Sequence, residues 1–305
     1  MRQRGLVSTG AEEVSVTNSD GFVLRGLYYR AGSFDDPAPL CLCIHGLGVD
    51  ANVWQFTAPL LQSRGISVLC PDLRGHGLSD QGKWLQLNPR QMARDIFSAC
   101  RKLELEPNLL LAQSFGTHVG LELLRQYRHR LNIRAFYAVT PVWIGDRKSL
   151  WSYLRTVPAT VRFLRSLGRC IGYNTHRTFE RRNHARFAEF PDSYLPRFVE
   201  EAASISWKRY AKLLVWLRLQ SLCIPYEWEK CSVYPVRMIV ASKDGLWDNR
   251  ELEIVHRKTG WPLKWMNMKH ISLASSAKCA NELIEVLEQD AICEAQVPLP
   301  DSHTR

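Results

Sequence analysis

The sequence has no apolar run approaching the roughly 18 residues that a membrane-spanning helix needs. Its opening stretch, Met1 to Gly10, is polar and lacks the apolar segment of a secretory signal. Paired CxxC clusters are absent, which argues against a structural zinc site. The nine cysteines are an odd count, and Cys41, Cys43 and Cys70 fall inside apolar strand-like runs. Scattered thiols of this kind fit a reducing compartment better than a disulfide framework, so the expected location is cytoplasmic, at most peripheral to a membrane. Cys41 and Cys43 are two apart and are expected to share one face of a strand as small hydrophobes. There is no internal repeat, no low-complexity tract and no recognisable nucleic-acid reading module, so nucleic acid is not an expected partner.

What is present is ample apolar material: 46% of the 305 residues are hydrophobic, enough for a sizeable core. The net charge of +10 is uneven. Pro141 to Ser232 alone carries sixteen Lys and Arg against eight Asp and Glu, a balance of +8. This points to a separate unit with its own surface role.

Glu12 to Thr17 alternates as a strand does, Asn18-Ser19-Asp20-Gly21 supplies turn chemistry, and Phe22 to Arg30 reads as the hairpin partner. Leu40 to Ile44 is a continuous apolar run, as expected of an interior parallel strand, and it ends in His45-Gly46-Leu47-Gly48. A helix over Trp54 to Leu61 and a buried strand over Ile66 to Cys70 follow. The loop from Pro71 to Asp80, PDLRGHGLSD, is dense in glycine and charge. Pro89 to Leu103 has helical periodicity, with Pro89 at its start. A strand is expected over Ala135 to Val139. Beyond Thr140 the rhythm becomes helical, basic and aromatic until about Ser232. It then resumes with strands at Val236 to Ala241 and Leu263 to Met268, a helix over Ala277 to Leu287, and a loose tail over 291–305. Strands alternating with helices predict a mostly parallel central sheet covered on both faces, of α/β class.

The chain is organised around Leu109 to Gly120, LLLAQSFGTHVG. Three leucines signal a buried strand, and the residues after Ser114 run at helical spacing. A serine between strand and helix, flanked by small residues, is how a chain pushes a hydroxyl out of a tight turn. Such a turn strains the backbone, and Ala112 and Gly116 are small enough for strand and helix to approach.

HGLG, PDLRGHGLSD, AQSFG, KD and a late KH, in this order over roughly Val14 to Leu287, resemble the α/β-hydrolase superfamily in its capped serine-hydrolase branch. The resemblance implies an α/β-hydrolase fold with core segments 1–140 and 233–290 and a basic helical cap at 141–232. It implies Ser114 as nucleophile and His270 as its base, with Asp244 as the acid that orients the base; Asp248 and Asp146 are the alternatives for that acid. It further implies backbone amides of Leu47 and Phe115 as oxyanion donors, with Gly46 and Gly48 letting the loop bend. No metal or organic cofactor is implied. Asp72, Arg74 and His76 are read as pinning the PDLRGHGLSD loop, and His118 as packed. Ala112 departs from the glycine that usually opens the family's elbow. Serine at position 114, where relatives that open epoxides or remove halides carry aspartate, disfavours those chemistries.

Within the insertion, Arg155, Arg162, Arg165 and Arg169 lie along one helical face at about 100° per residue, with Leu150, Val157, Val161 and Leu164 opposite. Pro158 splits this stretch into two helices. One reading is a lid with a solvated basic side; the other is a basic face that meets an anionic membrane surface, an acyl-carrier protein or a substrate phosphate. The apolar and aromatic residues there favour an ester with an apolar, lipid-like acyl group. The rival readings are a thioesterase or carrier-protein esterase, carbon–carbon bond cleavage by the same residues, and a ligand receptor that keeps the pocket without turnover.

Overall fold

The computed structural model describes residues 10–32, 38–145, 227–244, 247–270 and 276–296. An eight-stranded sheet carries the architecture, in the order β1-β2-β4-β3-β5-β6-β7-β8. The strands are β1 (Glu12–Thr17), β2 (Val23–Tyr29), β3 (Leu40–Ile44), β4 (Ser67–Pro71), β5 (Leu109–Gln113), β6 (Ala135–Val139), β7 (Val236–Ala241) and β8 (Leu263–Met266). β1 and β2 form the expected antiparallel hairpin, and β2 pairs antiparallel with β4; every pairing from β4 to β8 is parallel. The hairpin turn closes as its sequence requires. Gly21 takes a left-handed φ of +79°, and its N–H donates to the Asn18 carbonyl at 3.0 Å.

The helices are α1 (Thr57–Ser63), α2 (Pro89–Lys102), α3 (Gly116–Tyr127), α4 (Trp228–Cys231), α5 (Asn249–Thr259) and α6 (Ala277–Gln296). Two apolar layers flank the sheet because successive side chains of a strand point to opposite faces. Leu40, Leu42 and Ile44 of β3 join Leu110, Phe136 and Met238 on the side covered by residues of α2, α3 and α5. Cys41 and Cys43 join Leu111, Tyr137 and Ile239 on the side covered by residues of α1 and α6. The two thiols share a face, as their spacing predicts, with sulfurs 3.7 Å apart. Each fully buried aliphatic side chain in these layers contributes about 1.5–3 kcal/mol.

Three local expectations shift. The helix expected from Trp54 is divided into a tight 3-10 turn at Ala51–Trp54, capped by the Asp50 carboxylate, and α1 from Thr57. The strand expected to reach Met268 ends at Met266. The tail expected from residue 291 is helical as far as Gln296, because nothing between Leu287 and Gln296 breaks a helix before Pro298. The cap assigned to 141–232 falls almost wholly on 146–226, outside the described residues, as do Asp146 and the arginine stripe.

The described residues on either side of the 146–226 segment pack together. Trp143, before it, and Trp228, after it, have ring centres 5.6 Å apart, and Trp261 lies 5.6 Å from Trp143 and 6.0 Å from Trp228. The Trp228 indole N–H donates to the Ile144 carbonyl at 3.0 Å, and the Gly145 N–H donates to Glu251 at 2.9 Å. A side chain at Gly145 would collide with Ile254 of α5. The two stems are thereby tied to α5 and to each other.

The PDLRGHGLSD loop is held from inside. The Asp72 carboxylate accepts N–H groups of Ala51 and Leu78 at 2.8 and 2.9 Å. Arg74, buried, donates two bonds of 2.7 Å to buried Asp95 of α2, reaches Gln86 and Asp20, and lies 3.7 Å from the centre of the Phe22 ring. A fork-to-carboxylate pair of this geometry fixes direction as well as distance, so the loop, α2 and the first hairpin are locked in one arrangement.

Candidate active site

β3 and β5 are neighbours, yet the chain leaves β3 for β4 on one side and later returns to β5 on the other. This reversal opens a crevice at the carboxyl ends of the two strands, where open α/β sheets bind ligands. His45-Gly46-Leu47 leaves β3 at that point, and Ser114 leaves β5.

Ser114 has a φ of +51°, a left-handed conformation that a residue with a Cβ adopts only under constraint. The constraint is visible. Its N–H donates to the Val139 carbonyl at 2.9 Å, and its carbonyl accepts the N–H and the hydroxyl of Thr117 at 3.1 and 2.6 Å. α3 starts at once, and its first residue crosses β3 so closely that a Cβ on Gly116 would lie 2.4 Å from the His45 carbonyl oxygen. Glycine is the residue that fits there. The result is a hydroxyl presented between strand and helix, only partly covered by protein.

His270 lies beyond β8, 156 residues on in sequence, and places Nε2 2.8 Å from Ser114 Oγ. Its Nδ1 is 2.7 Å from Asp244 Oδ2, and both side chains are almost fully buried, at 6% and 2% exposure. An ionised carboxylate only accepts, so the Nδ1 proton faces Asp244 and the Nε2 lone pair faces the serine hydroxyl. Asp244 Oδ1 accepts the Trp247 N–H at 3.0 Å, which fixes the carboxylate plane. Asp248 is engaged elsewhere: it caps α5 by accepting the Arg250 N–H at 3.1 Å. Of the candidate acids among the described residues, Asp244 is the one brought to the imidazole.

The two backbone amides expected as oxyanion donors belong to Phe115 and Leu47. Phe115 is the N-terminal cap residue of α3, so its amide sits at the positive end of a twelve-residue helix. Leu47 follows Gly46, where a Cβ would come 3.2 Å from Ser114 Cβ, and precedes Gly48, whose φ is +82°. His45 orients this turn in a way that the sequence pattern alone did not reveal. Its Nε2 accepts the Leu73 N–H at 2.9 Å, so Nδ1 carries the proton and donates to the Gly46 carbonyl at 2.7 Å. Holding that carbonyl back towards the imidazole turns the Leu47 N–H the opposite way, because the peptide unit is planar and trans.

Sequence reasoning also missed Gln113 and Thr140. Both are buried, and both donate to the carbonyl oxygen of His270, at 3.1 and 3.3 Å. The signal available was a polar residue at the end of each of two apolar strands. Among the described residues, no group of His, Cys, Asp and Glu side chains is arranged to hold a metal, and no helix is long and apolar enough to cross a membrane.

His76 and His118 are buried here and are separate from the Ser114–His270 pair. Burial pushes both imidazoles down to about 3; for His76 the neighbouring His45 adds to this. His76 donates from Nδ1 to the Arg74 carbonyl, and His118 donates from Nε2 to the Val142 carbonyl. A folded-state value of about 3 against about 6.5 in the unfolded chain means that, between these limits, only the unfolded chain binds the proton. Stability therefore rises with pH through this window and is lost as pH falls, by up to about 1.4 kcal/mol per pH unit for each histidine. Urea unfolding at pH 7, 6 and 5 is expected to show a steep fall in stability below pH 6.5. A flat profile over that range would contradict the neutral, buried assignment.

A family model described as alpha/beta hydrolase fold matches residues 39–267. The magnesium-chelatase 30 kDa subunit of Rhodobacter capsulatus is 32% identical over 85 residues, 28% of this chain and 30% of that protein. The chain thus matches less than a third of the length of its curated relatives. Among solved structures, a putative lipase from Acinetobacter baumannii is similar with a TM-score of 0.69 at 16% identity, over 92% of each chain. An epoxide hydrolase from Vigna radiata is similar with a TM-score of 0.68 at 15% identity, over 92% of this chain and 98% of that one. At such identities the likeness is one of fold.

Proposed function

The chain belongs to the alpha/beta hydrolase fold family, and on that footing we propose that it is a serine hydrolase that cleaves a carboxylic ester through an acyl-enzyme on Ser114. One observation carries the reading: a hydroxyl on a strained turn, 2.8 Å from an imidazole Nε2 whose Nδ1 is 2.7 Å from a buried carboxylate. A serine hydroxyl is a weak nucleophile at neutral pH, and a base already seated on it removes that limit.

In the proposed route Ser114 Oγ attacks the acyl carbon while its proton passes to His270 Nε2. The Asp244 carboxylate keeps the ring oriented and stabilises the imidazolium. The oxygen that becomes negative is received by the Leu47 and Phe115 amides, whose directions are set before substrate arrives; such preorganised donors stabilise the transition state most. The tetrahedral intermediate collapses, the C–O bond to the alcohol breaks, and the alcohol leaves with the proton from Nε2. Water then attacks the acyl-enzyme, giving its proton to His270, and the acid departs as the proton returns to Ser114.

A hydroxyl rather than a carboxylate at the elbow favours acyl transfer over epoxide opening, in which the attacking group is itself a carboxylate. The acyl group is proposed to be apolar, on the composition of residues 141–232, and the basic balance of that segment is proposed to serve an anionic surface or carrier. Burst kinetics with p-nitrophenyl esters of graded chain length test the reading. About one equivalent of p-nitrophenol per chain is expected before steady state, and peptide mass spectrometry of the quenched enzyme should find the acyl group on the Ser114 peptide. An enzyme that is folded yet neither bursts nor acylates at any chain length would overturn it.

A further inference from the structure

The proposed base sits four residues beyond the end of β8, yet its ring must meet a serine that follows another strand. Two buried side chains solve this, and neither belongs to the acyl-transfer route above. Gln113 is the residue immediately before Ser114, and its amide donates to the His270 carbonyl oxygen at 3.1 Å. Thr140 is the residue immediately after Val139, and its hydroxyl donates to the same oxygen at 3.3 Å. Val139 is also the residue whose carbonyl accepts the Ser114 N–H, at 2.9 Å. The paired ends of β5 and β6 therefore grip the nucleophile by its N–H and the base by its C=O.

Thr140 is also distorted. Its φ is +44°, in the left-handed region, where a β-branched residue is rarely found. Its own N–H donates to the Ile239 carbonyl at 2.7 Å, so the chain has turned without losing its link to β7. Strain of this kind persists where surrounding structure enforces it, and it gathers at functional sites. Here it accompanies a hydroxyl turned onto the carbonyl of the residue that faces Ser114.

We propose that Gln113 and Thr140 are positioning residues that hold the His270 main chain, and through it the imidazole, in register with Ser114. The proposal rests on the serine-hydrolase reading for its kinetic consequence, although not for its geometry. Losing either donor removes one of these two bonds and lets the His270 main chain drift. Near-attack geometry is steep enough that a shift of about 1 Å costs on the order of 100-fold in rate.

The test uses the full chain and a fluorophosphonate probe, which phosphonylates an activated serine with loss of fluoride. Gln113→Leu and Thr140→Val are expected to lower the second-order labelling rate about tenfold to a hundredfold. Thr140→Ser, which restores a hydroxyl, is expected to recover most of that loss. Gln113→Glu can donate only while its carboxyl is protonated, so its labelling relative to the natural chain should improve as pH falls, the reverse of a simple loss of packing. Proton NMR supplies a readout independent of reactivity: the downfield Nδ1 proton of His270, shared with Asp244, should move or broaden in Gln113→Leu and Thr140→Val.

Labelling at the natural rate and an unmoved downfield proton in both variants would overturn the proposal. Equal slowing in Thr140→Ser and Thr140→Val would overturn it too, by showing that the hydroxyl does nothing. A natural chain that fails to label, while its downfield proton still shifts in the variants, would overturn the serine-hydrolase reading and uphold the positioning role.

Discussion

Ser114→Ala is expected to abolish the burst and lower steady-state ester hydrolysis by on the order of 10⁵- to 10⁶-fold, with the fold unchanged. Both halves of this expectation come from the same geometry. The backbone bonds that hold the elbow use the N–H and C=O of residue 114, not its hydroxyl. Alanine keeps the Cβ that packs against Gly46, and at a φ of +51° it is no more strained than serine. The melting temperature should therefore stay close to that of the natural chain. What disappears is the atom that becomes bonded to the acyl group, while His270 and the two amides remain. Any residual activity reflects water acting in their company. Burst amplitude, steady-state rate and melting temperature on one preparation decide the matter, and a persistent stoichiometric burst in the variant would sink the assignment.

Asp244→Asn is expected to reduce kcat by about 10⁴-fold, although the substitution is isosteric. The reason lies in Trp247. Its N–H needs an acceptor and has one in Asp244 Oδ1, at 3.0 Å. In the variant the amide oxygen is claimed by that N–H, which leaves the NH2 group facing His270 Nδ1, where Oδ2 now lies at 2.7 Å. An NH2 group donates, so Nδ1 must become the acceptor and the ring proton moves to Nε2. The imidazole then points an N–H at Ser114 Oγ and has no lone pair with which to take the hydroxyl proton. Nothing is removed, yet the tautomer is wrong. Steady-state kinetics with the preferred p-nitrophenyl ester give the rate, and the loss of the downfield Nδ1 proton in the NMR spectrum reports the tautomer directly. A kcat within tenfold of the natural value would mean that Asp244 does not orient the base.

Much of this site was legible in the chain because its pieces are local. LLLAQ must be a strand on apolar content, the helix after Ser114 follows from its spacing, and Gly116 is demanded by the contact of α3 with β3. Alternation in β3 separates Leu42 from Cys43 and so assigns them to opposite layers. Asp72 and Arg74, read as structural from a glycine-rich charged loop, prove to be tied to Ala51, Leu78 and Asp95, away from the Ser114–His270 pair. The ends of elements were less legible. The 3-10 turn before α1 and the extension of α6 to Gln296 depend on a single cap and on the absence of a breaker, both weak signals.

The sequence by itself determined the alternation of strands and helices, the strained serine turn and the order of the motifs, because each depends on neighbours a few residues apart. Tertiary structure decided the rest. Asp244 meets His270 across 26 residues while Asp248, four positions on, caps a helix; the partners that the fold brings to each separate two carboxylates alike in sequence. Gln113 and Thr140 reach the His270 carbonyl across 157 and 130 residues, and His45 aims the Leu47 amide only because Leu73 has already fixed its tautomer. These choices belong to buried hydrogen bonds between distant segments. Their partners are settled by which groups the folded sheet leaves within reach, since a donor or acceptor buried away from water must find one.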